Sequence, residues 1–207
     1  RLPFDMMPNE DGSKCRTWNE MLSRMSNPDV VLAWIGSLFI PQSYRQQFLW
    51  LYGEGHDGKG SLPRFMMKAL GSAAIPQSRA PDELRNKHWG IPYENRRLVV
   101  FSDHMDASSI FTGALKSITG GDPITIYPKN TAPYQVDLQC KLLFLSNAKP
   151  NVDLDDKAQE RRLLYSSFKT TYAHDNGYED RLMAEGGYFL WSAIQKYGEM
   201  CPKHDFI

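Results

Sequence analysis

The first forty residues carry two groups of apolar side chains. In the first group, Trp18 is followed by apolar residues three, four and seven positions later, the spacing of one helix face. The second group, residues 30–40, begins after Asn27-Pro28 and is almost continuously apolar. Because proline disfavours a helical residue before it, the pattern predicts two helices between residues 17 and 40.

Beyond residue 45, short apolar runs alternate with segments of helical spacing. Continuous apolar runs of this length are typical of buried parallel strands. Residues 71–89 lack a clear period and are predicted to be loop with a short helix. The runs predict strands at residues 48–52, 96–102, 141–146 and 162–168, helices at 62–70, 108–118 and 181–197, and a hairpin at 123–136. Alternating strands and helices predict an α/β fold with a central, mainly parallel sheet flanked by helices.

The first predicted strand leads into a glycine-rich loop. This loop contains Gly53, Gly55, Gly58 and Lys59 and resembles a phosphate-binding loop, except that Gly60 stands where serine or threonine is expected. Glycines let backbone N–H groups converge on phosphate oxygens at a helix start, and the lysine reaches the β- and γ-phosphates. The alternative is a plain glycine turn before a helix.

Polar residues follow two further predicted strands. Asp103 ends the second strand, with Asp106 three positions on, and Asn147 ends the third. Parallel sheets bind ligands at the carboxyl ends of their strands, where a carboxylate can hold Mg²⁺ or polarise water and an amide can orient water. Taken singly, the aspartate could be a helix cap and the asparagine a turn residue.

Arg161 and Arg162 stand directly before the last apolar run. An arginine here could act on the nucleotide of a neighbouring subunit, although a surface salt bridge is the simpler interpretation. The formal net charge of the chain is zero. Contacts with nucleic acid must therefore be local, made by a few cations rather than by a broad basic surface.

The composition indicates one main globular unit. Apolar residues make up 42% of the 207 residues, well above the level of a disordered chain. The three cysteines form no CxxC or Cys/His cluster, so neither a zinc site nor a disulfide framework is predicted, and a reducing compartment is expected. The apolar stretch 30–40 is too short to span a bilayer. Because the chain begins with Arg1, we expect it to be a piece of a longer polypeptide.

The segments GEGHDGKGS, RRLVVFSD, LKSITGGDPITIYPKNTAPYQ, KLLFLSNAKP and ERRLLYSSF together resemble the superfamily 3 helicases. Within that group they are similar to the helicase domains of phage and plasmid primase-helicases and of poxvirus-type replication ATPases. The resemblance runs from about Arg16 to Tyr197. Its most specific part is LKSITGGDPI followed by LLFLSNAKP.

The resemblance implies an AAA+-like P-loop ATPase core at residues 46–170, between helical segments at 1–45 and 171–207. It implies an ATP- and Mg²⁺-dependent helicase that forms a hexameric ring on single-stranded DNA. An upstream primase or polymerase domain and the host-cell cytoplasm are the expected context.

The resemblance also implies roles for individual residues. Lys59 binds the β- and γ-phosphates, Asp103 is the acidic strand-end residue, and Asn147 is the sensor. Arg161 or Arg162 completes the site of a neighbouring subunit. At the hairpin tip, Lys129 binds the phosphate backbone of the DNA.

Two departures from the family pattern concern the metal. A single acid, Asp103, ends the second strand where a pair is common, and Gly60 lacks the hydroxyl that ligates Mg²⁺. Ser61 or water can replace that ligand, which predicts a weakened site. Another kind of P-loop ATPase is disfavoured, because such an enzyme needs no hairpin between the strand that ends in Asp103 and the strand that ends in Asn147. A nucleotide-binding DNA-binding or oligomerisation module with little turnover stays an alternative.

Overall fold

The fold was taken from a computed structural model, which describes residues 2–8, 12–40, 46–55, 57–77, 93–102, 113–150, 157–169 and 175–201. The helices within these ranges are α1 (Arg16–Ser23), α2 (Pro28–Ser37), α3 (Ser61–Leu70), α4 (Gly113–Gly120), α5 (Lys157–Glu160), α6 (Tyr178–Ala184) and α7 (Gly186–Met200). The strands are β1 (Phe48–Tyr52), β2 (Ala74–Gln77), β3 (Leu98–Phe101), β4 (Ile124–Ile126), β5 (Tyr134–Val136), β6 (Lys141–Ser146) and β7 (Leu163–Ser167).

Five of these strands form one parallel sheet in the order β2-β3-β6-β1-β7. In its registers, Tyr52 of β1 lies opposite Ser146 of β6 and also opposite Ser167 of β7. Three neighbouring strands therefore end at the same level, and the segments that follow them emerge side by side. The predicted α/β fold, with a central parallel sheet between helices, is confirmed.

Both faces of the sheet are buried, because side chains alternate between two apolar clusters along each central strand. In β1, Leu49 and Leu51 pack with the cluster formed by α1, α2, α3, α6 and α7, while Trp50 packs with the opposite cluster, near α4 and the hairpin. The ring of Trp50 stacks on Phe144, and its indole N–H donates a 2.7 Å hydrogen bond to Ser146 Oγ. This bond satisfies the buried indole at the sheet's carboxyl edge.

Helices α2 and α7 pack closely through a glycine. A Cβ built on Gly36 would lie 2.1 Å from the backbone oxygen of Ala193. Since backbone cannot move aside cheaply, a larger residue at position 36 would force the helices apart. The packing joins a helix near the start of the chain to one near its end, and both contribute to the same core as β1. The division of the chain into a core at residues 46–170 and helical segments at 1–45 and 171–207 stays a prediction.

The structure corrects three predictions of secondary structure. Residues 74–77, predicted to be loop or short helix, form the edge strand β2, which includes Pro76 and lacks a strong apolar pattern. Proline is compatible with an edge position. The single C-terminal helix is two helices, which meet around Glu185. A short helix, α5, precedes β7 and was not predicted.

The predicted hairpin is present as the antiparallel pair β4–β5. Among the described residues, no helix is both long and apolar enough to cross a membrane. All three cysteines are free and buried. Burial raises the pKa of the Cys15 and Cys140 thiols to about 12, so neither thiolate is available as a nucleophile at neutral pH.

Candidate functional site

The glycine-rich loop connects the carboxyl end of β1 to the first turn of α3, as the sequence predicts. Gly55 and Gly58 have φ angles of +100° and +86°, a backbone conformation that other residues rarely adopt. The N–H of Ser61 donates to the Gly58 carbonyl over 2.9 Å, which closes the turn into the helix. A strand, a glycine loop and a helix start form the arrangement that binds phosphate groups.

Gly53 is required for a different reason, the close approach of a side chain. A Cβ on Gly53 would lie only 1.9 Å from Asp57 Oδ2 and 3.2 Å from the Cβ of Phe168. The Asp57 carboxylate thus occupies the space that a side chain at position 53 would need. The first glycine of the motif lets the loop fold back on itself around this carboxylate.

Lys59 lies inside this loop and is largely buried. Its Nζ donates hydrogen bonds to the Gly53 carbonyl oxygen over 3.2 Å and to Asn147 Oδ1 over 3.0 Å. Asn147 directly follows β6, which pairs with β1. The structure therefore brings together two of the predicted site residues, which are 88 positions apart in the sequence.

Asp57 belongs to the same cluster, and the sequence analysis did not identify it. Its Oδ1 accepts a 3.0 Å hydrogen bond from the backbone N–H of Lys59 and lies 3.8 Å from Lys59 Nζ. Its Oδ2 is buried and has no hydrogen-bond partner among the described residues. A carboxylate two positions before the lysine was the available sequence signal, but motif matching treats that position as variable.

The start of α3 carries Ser61, one of the two residues predicted to hold Mg²⁺. Gly60 has ordinary helical angles, φ −71° and ψ −20°, so its backbone does not require glycine. The Ser61 hydroxyl is buried and accepts a 3.2 Å hydrogen bond from Arg64 Nη2. A hydroxyl has a second lone pair and can still ligate a cation. The adjacent guanidinium, which also pairs with Glu179, opposes a divalent ion there.

The described residues supply only part of a metal site. Ser61 fits as one protein ligand, and no group of three or more His, Cys, Asp or Glu residues within the described ranges could hold an ion. Asp103 and Asp106, the predicted acidic residues after β3, lie outside those ranges. The available donors fit a largely hydrated Mg²⁺ that is held chiefly by nucleotide phosphates.

Arg161 and Arg162 lie at the amino ends of the sheet strands, on the side opposite the glycine loop. They precede β7 at its amino end, whereas the loop follows β1 at its carboxyl end, and the two strands are parallel. At about 3.3 Å per residue, a five-residue strand separates the two edges by roughly 16 Å. Neither arginine is thus brought to the loop of its own chain. Arg161 is exposed, whereas Arg162 is buried.

Lys129 stands at the exposed tip of the β4–β5 hairpin, as predicted. The next residue, Asn130, has a φ of +64°, and asparagine tolerates this turn conformation well. The tip is separated in sequence from the phosphate loop and from Asn147, and it forms its own two-stranded sheet. The hairpin is therefore not part of the five-stranded sheet that carries the glycine loop.

A cavity of about 310 Å³ opens beside the loop. Its lining includes Asp57 and Asn147 and adds two lysines that the sequence analysis did not select, Lys149 and Lys169. The ammonium group of Lys149 lies 5.5 Å from the ring centroid of Tyr165. The carboxylates of Glu54 and Asp57 line the same cavity and balance the two lysines. Its place at the carboxyl ends of the strands is that of ligand sites in parallel sheets.

A protein-family model, described as a family of unknown function (DUF5906), matches residues 51–162, more than half of the chain. The chain belongs to the DUF5906 family. The matched region begins within β1 and ends at the start of β7. It includes the glycine loop, the hairpin, Asn147 and both arginines, so the residues selected from the sequence fall within the family match.

The DUF5906 chain is also similar to individual proteins. It is 25% identical over 194 residues to a protein of Acanthamoeba polyphaga mimivirus named "Putative helicase L207/L206". An apo structure of the NrS-1 C-terminal region matches the fold with a TM-score of 0.71 at 16% identity. A second apo structure of this region, the A form, gives a TM-score of 0.69 at 14% identity. The predicted resemblance to viral helicase domains is confirmed.

The matches cover most of this chain but only part of each relative. The mimivirus alignment covers 86% of the chain and 20% of the relative. The two NrS-1 structures cover 98% and 94% of the chain, and the chain covers 52% and 49% of them. The chain thus corresponds to one portion of larger proteins.

Proposed function

We propose that this DUF5906 chain is the ATP-hydrolysing, superfamily 3-type helicase domain of a viral or mobile-element replication protein. The observation that carries the proposal is the contact between Lys59 Nζ and Asn147 Oδ1 beside a glycine loop. This contact links the group that would bind phosphate to the group that would orient the attacking water. The mimivirus relative's name supports the same class of function.

In this proposal the triphosphate lies on the loop between β1 and α3. Backbone N–H groups of the loop and the helix start would bind the β-phosphate, and Lys59 would exchange its present contacts for β- and γ-phosphate oxygens. Mg²⁺ would be held by the phosphates, by Ser61 and by Asp103, and would neutralise developing charge. Asn147 is released from Lys59 by the same exchange and can then orient water.

The proposed assembly is a ring, with a hexamer as the expected size, in which each site is completed by Arg161 of the next subunit. The exposure of Arg161 at the sheet edge away from its own loop supports this role. The hairpin tip with Lys129 would contact the backbone of single-stranded DNA in the ring. One such lysine in each subunit needs no basic surface elsewhere, which suits a chain of zero net charge.

A second candidate function is a module that binds nucleotide and DNA but turns over little ATP. It is favoured by the missing hydroxyl at Gly60 and by the guanidinium of Arg64 beside Ser61. Both features weaken binding of Mg²⁺ on the protein side.

Measuring ATP binding and hydrolysis, with and without single-stranded DNA, distinguishes the two functions. The helicase proposal predicts hydrolysis that DNA stimulates. Tight ATP binding with no hydrolysis, in a chain that assembles on DNA, would support the second function. A chain that binds no nucleotide at millimolar ATP would overturn both.

A further inference from the structure

The β4–β5 hairpin presents tyrosines as well as a lysine at its exposed end. Among the described residues, five large apolar or aromatic side chains are exposed, and two of them, Tyr127 and Tyr134, flank the hairpin tip. Their exposed fractions are 44% and 40%. Exposed aromatic rings next to a basic residue are typical of surfaces that bind unpaired bases.

The two rings lie on opposite faces of the hairpin. Tyr134 pairs with Ile126 in the ladder and therefore shares the face of Ile124 and Ile126, which packs onto the protein body. Its hydroxyl donates a 2.7 Å hydrogen bond to Glu94 Oε2, and this bond raises the pKa of the Tyr134 phenol. Tyr134 is thus tethered to the body.

Tyr127 follows β4 by one residue on the other side of the tip. Since side chains alternate along an extended strand, Tyr127 continues the face of Thr125 and Gln135, both exposed. This face points away from the core. Tyr127 thus presents its ring on the outer face, two residues from Lys129.

Two prolines restrict the backbone on either side of the tip, and the hairpin carries little charge. Prolines at positions 128 and 133 flank the tip, and the proline ring fixes the backbone φ angle. Lys129 is the sole charged residue between positions 124 and 136, so no carboxylate within the hairpin repels a phosphate. A pre-organised tip loses less conformational entropy on binding.

We propose that Tyr127 is a base-stacking residue, which holds an unpaired DNA base while Lys129 contacts a neighbouring phosphate. This inference rests on the proposed function, because it assumes that the hairpin contacts DNA. It adds that binding depends on bases as well as on charge, because the bases of a single strand, unlike those within a duplex, can stack on a ring.

The test measures binding of fluorescein-labelled poly-dT and of an abasic oligonucleotide of the same length, which has the same phosphates without bases. Tyr127→Leu should weaken poly-dT binding about tenfold or more and leave abasic binding unchanged. Tyr127→Phe should bind as the wild type does, because the ring is retained. Gln135→Ala, on the same face without a ring, is the matched control and should have no effect.

Salt dependence separates this inference from the proposed function. Tyr127→Leu should leave the slope of log affinity against log salt unchanged, while Lys129→Ala should reduce it by about one per bound chain. Wild-type poly-dT affinity in Tyr127→Leu, or an equal loss on both oligonucleotides, would overturn the stacking role. If Lys129→Ala also binds poly-dT with wild-type affinity and slope, the hairpin does not contact DNA.

Discussion

Lys59 Nζ donates a 3.0 Å hydrogen bond to Asn147 Oδ1, across the carboxyl ends of the neighbouring strands β1 and β6. This bond exists because Tyr52 and Ser146 lie in register, so the segments after them start at the same level. The lysine is thereby held in the glycine loop. Phosphate oxygens that draw Lys59 away would release the asparagine for contact with water.

Replacing Asn147 should affect turnover more than binding. Asn147→Ala keeps Lys59 and the loop, so the affinity for ATP should change by no more than a few-fold. Hydrolysis should fall at least tenfold, because one oriented group near the attacking water is lost. Steady-state hydrolysis and titration with a fluorescent ATP analogue measure the two effects. Wild-type turnover in this variant would remove Asn147 from the site.

Asp57→Asn should strengthen binding of the triphosphate. The carboxylate lies 3.8 Å from Lys59 Nζ, and it adds a negative charge next to the expected phosphate position. The amide keeps an oxygen that can accept from the Lys59 N–H. Removing this charge should tighten ATP binding about tenfold, which is less than the roughly 4 kcal/mol between two unit charges 4 Å apart at an effective dielectric constant of about 20.

Asp57→Ala is the matched control for this prediction. It also removes the charge, but it leaves the Lys59 N–H without its acceptor and should weaken the loop. Calorimetric titration should therefore show that the asparagine variant binds ATP more tightly than the wild type does. The alanine variant should bind ATP less tightly than the asparagine variant. Equal weakening in both variants would mean that the charge itself is needed.

Gly60→Ser should improve a site that lacks its metal-binding hydroxyl. The φ of −71° accepts any residue, and within the described residues the sole atom closer than 3 Å to a Cβ there is the flexible end of Arg64. The added hydroxyl should raise Mg²⁺-dependent affinity for ATP several-fold. Gly60→Ala adds the same Cβ without the oxygen and should show no gain. Equal effects of Ser and Ala in a Mg²⁺ titration would count against a metal ligand at this position.

The Arg161→Ala chain by itself should not hydrolyse ATP. Mixing it with Lys59→Ala chains should restore part of the hydrolysis. In a mixed ring, some sites combine an intact lysine with an intact arginine from the neighbour. Arg162 is buried, so Arg162→Ala should lower the melting temperature instead. Hydrolysis measured across mixing ratios tests whether Arg161 completes the site of a neighbouring subunit. No recovery at any ratio would exclude a site shared between subunits.

The sequence predicts the parts of this molecule that depend on local pattern. Continuous apolar runs identify β1, β3, β6 and β7, and the loop glycines identify the start of α3. The edge strand β2 was missed because Pro76 and small residues give it no strand pattern. Its pairing with β3 depends on tertiary context.

The same distinction applies to the site. The glycine motif selects Lys59, and position after a strand selects Asn147, because parallel strands end at one edge. Asp57 could not be selected, since its importance comes from folding back onto Gly53, a contact that no periodicity encodes. Lys149 was also missed, because its position at the cavity follows from the path of the chain after β6.

The central claim is that the loop around Lys59 binds and hydrolyses ATP, and DNA-stimulated hydrolysis in matched lysine variants tests it most directly. Lys196 lies on α7, where it pairs with Asp29 and Glu199, and it serves as the control. We expect Lys59→Ala to reduce hydrolysis to background, with and without single-stranded DNA, and Lys196→Ala to retain wild-type rates. Hydrolysis at the wild-type rate in a folded Lys59→Ala chain would contradict the assignment of this site.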